Sequence, residues 1–282
     1  MKITFLGTSA ATSCPLIFCK CKVCIYARNN MGKDIRKRSS LLINDDLLID
    51  LGPDITTSSA MYNIDLTKIK YILQTHGHSD HFDAGHLTTR LKEYATENVE
   101  YISLFASKET IKTLDMWLKT EEPEANLFDS NWLNRLHMDI KYVNHGECIN
   151  VSDYNITPLE SLHDVKENSL IFVINYNNKF IMYGTDLLTI SERSWDILKS
   201  FKLDLVILDQ TYGKDKNAGG HLDASQVIGI VSKMKIEKII HKNSMVYATH
   251  ISHEGNDIHD VMENLAISNG YNIAYDGLII NI

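Results

Sequence analysis

The stretch Tyr71–His86, YILQTHGHSDHFDAGH, constrains this chain more than any other. The apolar run Tyr71-Ile72-Leu73 reads as a buried strand. It delivers His76, His78, Asp80 and His81, four side chains able to ligate a metal within six residues. On extended backbone, side chains two apart point the same way, so His76 and His78 can grip one ion together. Asp80 and His81 follow where the chain turns and can reach a second ion beside the first. Imidazoles with a carboxylate suit Zn, Mn, Fe or Ni rather than Ca. A loop rich in histidine by accident is the bland alternative, and four ligands at this spacing argue against it.

T-H-G-H-S-D-H behind an apolar strand resembles the metal signature H-x-H-x-D-H of the metallo-β-lactamase superfamily. The resemblance implies an α/β chain with the four-layer αββα metallo-β-lactamase fold, in which two facing mixed β-sheets are flanked by helices and a binuclear site lies at one edge. A length of 282 residues with 44% hydrophobic side chains is ample for a large core. No Pro/Ser/Gly-rich linker or internal repeat divides the chain, so one domain over 1–282 is expected.

A net charge of −8 with twelve histidines counted neutral argues against general nucleic-acid or anionic-membrane binding. The opening MKITFLGTSAATS reads as a strand entering a loop rather than a signal peptide, and no apolar run reaches membrane-spanning length. Five cysteines, three of them clustered, fit metal binding in a reducing compartment better than a disulfide scaffold. The cytoplasm is the expected location.

The cluster is Cys19-Lys20-Cys21-Lys22-Val23-Cys24. Three thiolates so close can wrap one zinc, but a closed structural site is four-coordinate, so a fourth ligand must come from elsewhere. Cys14 and Cys148 are solitary and read as bystanders.

Strands are expected at Lys2–Leu6, at Leu41–Ile43 and Leu47–Asp50 as a hairpin over Asn44-Asp45-Asp46, and at Ile156–Leu159. Ile171–Ile174 and Phe180–Tyr183 read as a second hairpin over Asn177-Asn178. Leu205–Leu208 and Met245–Ala248 read as buried strands, and Tyr271–Ile280 as the last. The segment Gly85–Leu118 reads as mainly helical around a short strand at Tyr101–Phe105. Val227, Ile230, Val231 and Met234 lie at helical spacing after Asp223 or Ser225 as N-cap. The basic run Arg36-Lys37-Arg38 reads as a solvated strand entry or an anion site. The acidic segment Thr120–Arg135 reads as a surface connection, a lid over the site or a contact in a homodimer. His163, Asp186 and Asp209 all follow apolar strands, where sites on sheet scaffolds gather.

The resemblance implies roles for the distant residues. His76, His78 and His163 match the family's first-ion histidines; Asp80, His81 and His250 match the second ion's ligands, and Asp186 the bridging carboxylate. Asp50 is expected to support the site from behind. His86, His137, His145, His241 and His259 lack such placement. His250 lies nearer its strand end than His253, which is left free to complete a structural zinc with Cys19, Cys21 and Cys24. That cysteine set with T-H-I-S-H is similar to the cyclic-phosphate phosphodiesterases of the carbon–phosphorus lyase pathway.

The expected activity is therefore phosphodiester hydrolysis of a small, cyclic or open substrate. Two divalent ions would activate a water, with Asp80 part of that machinery. His221, on its Gly-Gly turn, matches a non-ligand histidine of those relatives and is the expected general acid, a residue type that exchanges protons near neutrality. The competing readings are a ribonuclease Z-like or lactone/thioester hydrolase, and a non-enzymatic carrier like the B protein of pyrroloquinoline-quinone biosynthesis.

Overall fold

Apolar residues at every second position build two seven-stranded sheets, and their inward faces meet. A computed structural model describes residues 1–95, 97–216 and 219–282. The first six strands are β1 (Lys2–Gly7), β2 (Ser40–Ile43), β3 (Leu47–Ile49), β4 (Tyr71–Leu73), β5 (Ile102–Ala106) and β6 (Met138–Tyr142). The next seven are β7 (Ile149–Val151), β8 (Tyr154–Glu160), β9 (Leu170–Tyr176), β10 (Lys179–Gly184), β11 (Leu203–Asp209), β12 (Ile240–Thr249) and β13 (Asn272–Ile273), and β14 (Ile279–Asn281) closes the chain. The sheets run β14-β1-β2-β3-β4-β5-β6 and β13-β12-β11-β10-β9-β8-β7.

The pleat sorts the core. Leu41, Ile43, Leu47 and Ile49 face inward against Phe172, Ile174, Ile181 and Ile207. Their neighbours Leu42 and Leu48 face outward, against helices. Burying each such side chain contributes about 1.5–3 kcal/mol. The helices are α1 (Lys22–Asn30), α2 (Ile55–Tyr62), α3 (Gly85–Thr88), α4 (Lys108–Glu121), α5 (Ser130–Arg135), α6 (Glu192–Leu198), α7 (Ala224–Ile236) and α8 (His259–Ser268). Ile55, Leu87, Ile111 and Leu114 place α2, α3 and α4 on the outer face of the first sheet. Trp195, Leu198, Val227, Val231 and Met262 place α6, α7 and α8 on that of the second. The result is the four-layer αββα arrangement that the sequence motif implied. No helix among the described residues is long and apolar enough to cross a membrane.

Several local expectations need correction. Between Gly85 and β5, only Gly85–Thr88 is helical among the described residues, because Lys92, Glu93, Tyr94, Glu97 and Glu100 offer no apolar face to bury. Tyr271–Ile280 is two strands, not one: β13 pairs with β12 and β14 with β1, in different sheets. The chain crosses at Asp276-Gly277, where Gly277 has φ +84 and the Asp276 carboxylate accepts from Thr8 Oγ1 and Lys37 N, each at 2.7 Å. The basic run is neither solvated nor an anion site. Arg36 and Lys37 are buried, with Arg36 donating to Thr8 Oγ1 and the Ala274 carbonyl. Lys37 pairs with Asp276 at 3.0 Å, and Arg38 with Asp54 at 2.7 Å. Within 120–135, Ala125 and Leu127 are buried in the outer layer, and none of the segment lines the candidate site. It is a packed connection there, not a lid.

Candidate metal centre

Strand direction gathers the site. β10, β11 and β12 run parallel, so their C-terminal ends share one edge, where Asp186, Asp209 and His250 follow. β4 brings His76–His81 and β8 brings His163 to the same cleft. Carboxyl ends of parallel strands are where open α/β sheets place their ligands. Asp50, Asp186 and His250 all have positive φ, at 65, 49 and 59. Residues held in this sparsely populated region cluster at functional sites, and here each turns sharply off its strand into the cleft.

The ligating atoms of His76, His78 and His163 lie within 4.8 Å of one another, as do those of Asp80, His81 and His250. Asp186 stands between the trios. Its Oδ2 is 2.8 Å from His81 Nε2 and 3.1 Å from His250 Nε2, while its Oδ1 is 3.4 Å from His163 Nε2. One carboxylate thus turns an oxygen to each side.

Four of the imidazoles are held by Nδ1, leaving Nε2 to the centre. His76 Nδ1 meets Thr75 Oγ1 at 2.9 Å, and His81 Nδ1 meets Asp50 Oδ2 at 2.7 Å. His163 Nδ1 meets the Gly220 carbonyl and His250 Nδ1 meets Thr211 Oγ1, both at 2.8 Å. Such outer partners fix ring orientation at metal sites. Asp50 also accepts from Thr75 N, and Gln74 donates to the carbonyls of His76 and His81 at 2.9 Å each, pinning the loop.

The inward atoms are not otherwise used. His76 Nε2, His81 Nε2, His250 Nε2 and Asp186 Oδ2 are buried and take part in no hydrogen bond, with the two imidazole nitrogens of His81 and His250 close to the carboxylate oxygen. A buried polar atom left without a hydrogen bond costs about 1–3 kcal/mol, and these four, spread over overlapping groups of ligating atoms, fit divalent cations. The electrostatics agree. Burial opposes charge on His81, yet Asp186, Asp80 and Asp50 hold it well above the ordinary histidine range. His250 is held at about 10 against burial by Asp186, Asp209 and Asp80. Burial would raise Asp186, but His250 and His81 hold it well below the carboxylate range. The carboxylates call for positive charge that a metal supplies and that protons otherwise must.

His221 shares this cleft. Its Nδ1 is 3.1 Å from Asp209 Oδ2 and 3.7 Å from Asp186 Oδ1, and its ring stacks on His250 at 5.3 Å. Asp209, noted in the sequence only as a strand end, is fully buried and also faces His250 Nδ1 at 3.4 Å, so it orients two imidazoles at once. Thr75, Gln74 and Thr211 were missed, since a polar residue after a strand carries no signal of its own. The centre opens into a cavity of ≈ 220 Å³ walled by Ala10, Ala11, Thr12, Tyr212, Ser252 and Glu254.

The second cluster adjoins that wall through His253, which lies between Ser252 and Glu254. Cys19, Cys21, Cys24 and His253 bring their ligating atoms within 4.8 Å of one another. His253 Nδ1 is 3.8 Å from Cys19 Sγ and 3.6 Å from Cys21 Sγ, and its Nε2 is buried without a partner. The segment is not all loop: Cys21 caps α1. Amide N–H groups of Leu16, Cys21 and Cys24 point at sulfur. Against burial, the Cys24 N–H and the neighbouring side chains hold Cys21 down at about 6, while burial pushes Cys24 up to about 12. The geometry separates the two nearby histidines, His250 to the carboxylate centre and His253 to the thiols. Cys14 is buried and packs beside Cys21 at the edge of the cluster, outside the ligating set, while Cys148 is exposed.

Of the remaining histidines, His259 is buried beside Arg36 Nη2 at 2.9 Å and His86 meets the Gly52 carbonyl at 3.1 Å. His137, His145 and His241 contact Val99, Glu160 and Asp204 outside the cleft.

The fold has known counterparts. The fold is similar to that of a diphosphatase of the PhnP family, at 24% identity and a TM-score of 0.73 over 99% of this chain and 96% of that one. It is similar also to zinc-bound PqqB from Methylobacterium extorquens, at 18% identity and a TM-score of 0.75 over 100% of both chains. A stretch of 85 residues is 36% identical to part of the octanoyltransferase of Porphyromonas gingivalis (strain ATCC BAA-308 / W83), covering 29% of this chain and only 16% of that protein. Residues 46–251 match the family described as the beta-lactamase superfamily domain, a span from the first hairpin through His250. The chain belongs to that superfamily, whose metallo-β-lactamase fold its two sheets and flanking helices reproduce.

Proposed function

We propose that this protein is a metal-dependent phosphodiesterase acting on a small, cyclic or open phosphodiester. The observation that carries the reading is one cleft holding both the converging, unpartnered atoms of His76, His81, His250 and Asp186 and the Asp209-bound His221. His76, His78 and His163 would hold one divalent ion, Asp80, His81 and His250 a second, with Asp186 between them. Zn or Mn suits these donors best, with Fe or Ni also compatible. Cys19, Cys21, Cys24 and His253 would hold a structural zinc. Divalent ions in such a centre supply Lewis-acid polarisation of a phosphoryl oxygen and a nucleophilic water.

The chain's own residues do the rest. Asp50 and Asp209 hold His81 and His250 at fixed tautomers. With Nδ1 turned to Asp209, His221 keeps Nε2 as the atom that hands a proton to the departing alkoxide. The small cavity favours a compact phosphate head, and the chain's acidic balance weighs against a polynucleotide. Similarity to a PhnP-family diphosphatase supports phosphate chemistry over lactone or thioester hydrolysis.

Removing the proton donor separates this reading from a simpler one. His221→Ala is expected to slow hydrolysis of an alkyl or ribose cyclic phosphate by about 10²–10⁴-fold. The loss should be smaller for bis(p-nitrophenyl) phosphate, whose leaving group scarcely needs a proton, with metal content unchanged. Equal losses on both substrates would make His221 a substrate-positioning residue, a lost ion would make it a ligand, and no loss would remove it from the mechanism.

A further inference from the structure

Gly77, the residue between His76 and His78, is clamped on both sides. Its N–H donates to Glu167 Oε2 at 2.6 Å, and its carbonyl accepts from Trp117 Nε1 at 2.9 Å. These groups belong to the two successive peptide planes that join the two imidazoles. α4 also packs directly on the glycine: a Cβ there would come within 2.6 Å of Thr113 Cγ2 and 3.0 Å of Glu167 Oε2.

Glu167 lies four residues after His163, on the same loop, and that loop is itself anchored. Asp164 Oδ1 accepts the N–H groups of Lys166 and Glu167, at 2.8 and 3.2 Å. Ser107 Oγ and Thr110 Oγ1 donate to the Glu167 carbonyl at 2.6 and 3.2 Å. One carboxylate therefore fastens the loop bearing His163 to the loop bearing His76 and His78. The fastening matters because His78 is placed differently from its companions. His76 is buried and held at Nδ1 by Thr75, and His163 is held by Gly220. The His78 side chain is 42% exposed, with its nearest carboxylate, Asp164 Oδ2, 3.5 Å away. Its ring otherwise meets the other two imidazoles of the trio, with His163 Nε2 3.4 Å from its Nδ1, so the backbone beneath it sets where the ring stands.

We propose that Glu167 and Trp117 are positioning residues for the ion held by His76, His78 and His163, setting the distance of His78 from its two partners. This rests on the reading that the trio holds an ion. The Glu167 contact is a charge-assisted hydrogen bond, about twice as strong as a neutral one, and partners behind metal ligands typically govern about 10–100-fold in metal affinity.

The test is titration of the metal-stripped protein with Co(II), followed by absorption. Thiolate-bound cobalt is told apart by its sulfur charge-transfer bands. Glu167→Ala and Trp117→Phe should each weaken one of the two non-thiolate ions by about 10–100-fold. The other non-thiolate ion, the thiolate ion and the melting temperature of the metal-stripped protein should barely move. Glu167→Gln should keep most of the affinity, because its amide oxygen still accepts from Gly77 N. Unchanged affinities in Glu167→Ala and Trp117→Phe, equal weakening of both non-thiolate ions, or a Gln variant as weak as the Ala variant would each overturn the proposal. If Glu167→Ala does not fold, Trp117→Phe decides. A wild-type protein that takes up no non-thiolate cobalt would instead overturn the metal reading beneath it.

Discussion

Asp186→Ala is expected to cost the protein both ions of its carboxylate centre and at least about four decades in turnover. Asp186 faces His81 and His250 with one oxygen and His163 with the other, so one carboxylate serves both trios. Removing it leaves two imidazoles whose raised proton affinity it helped to create. Lewis-acid stabilisation of several kcal/mol then disappears, at about 1.4 kcal/mol per decade. Elemental analysis of the variant should show the thiolate-bound zinc alone. The fold should survive, since Asp186 sits on a turn at the sheet edge rather than in the core between the sheets. Turnover within tenfold of wild type would show that Asp186 does not bridge.

Cys21→Ser is expected to do the reverse, sparing the carboxylate centre's ligands while unfastening the frame around them. Cys21 caps α1 and contributes its sulfur to the cluster with His253. The cluster ties the segment 8–24 to the segment 250–257, alongside the backbone bridge of Thr8 and Ala10 to Ile251, the Ser9 Oγ bond to the Ile251 carbonyl at 3.0 Å and the Lys22–Asp257 pair at 2.7 Å. Structural zinc contributes folding free energy directly, and loss of a metal is among the few single changes that exceed about 4 kcal/mol. A drop in melting temperature on the order of 10 °C follows for a chain of this size. The variant should bind one ion fewer, and chelators that strip the carboxylate centre of the wild type should leave the thiolate ion in place. Unchanged zinc content and melting would refute a structural metal there.

The loop His76–His81 was legible because its four candidate ligands fall within six residues: H-x-H-x-D-H keeps its meaning whatever lies around it. His163, Asp186 and His250 were legible through the family resemblance together with their order and their place after apolar strand runs. Asp50 was legible through the family resemblance, and it reaches His81 across 31 residues. What escaped was the rest of the support: Glu167 reaches Gly77 across 90 residues and leaves no local trace. The basic run Arg36–Arg38 misled for the same reason. Charge adjacent in sequence suggests a solvated face, but Lys37 is neutralised by Asp276 from 239 residues away. Tyr271–Ile280 reads as one apolar segment, and only the buried Asp276 reveals that the chain changes sheets within it.

Hydrolysis of bis(p-nitrophenyl) phosphate by protein stripped of metal and then reloaded tests the central claim most directly. The account predicts no turnover with the thiolate zinc alone and recovery as up to two equivalents of Zn or Mn return, with no recovery in Asp186→Ala. Turnover indifferent to stripping, or none with both ions counted in place, would contradict it.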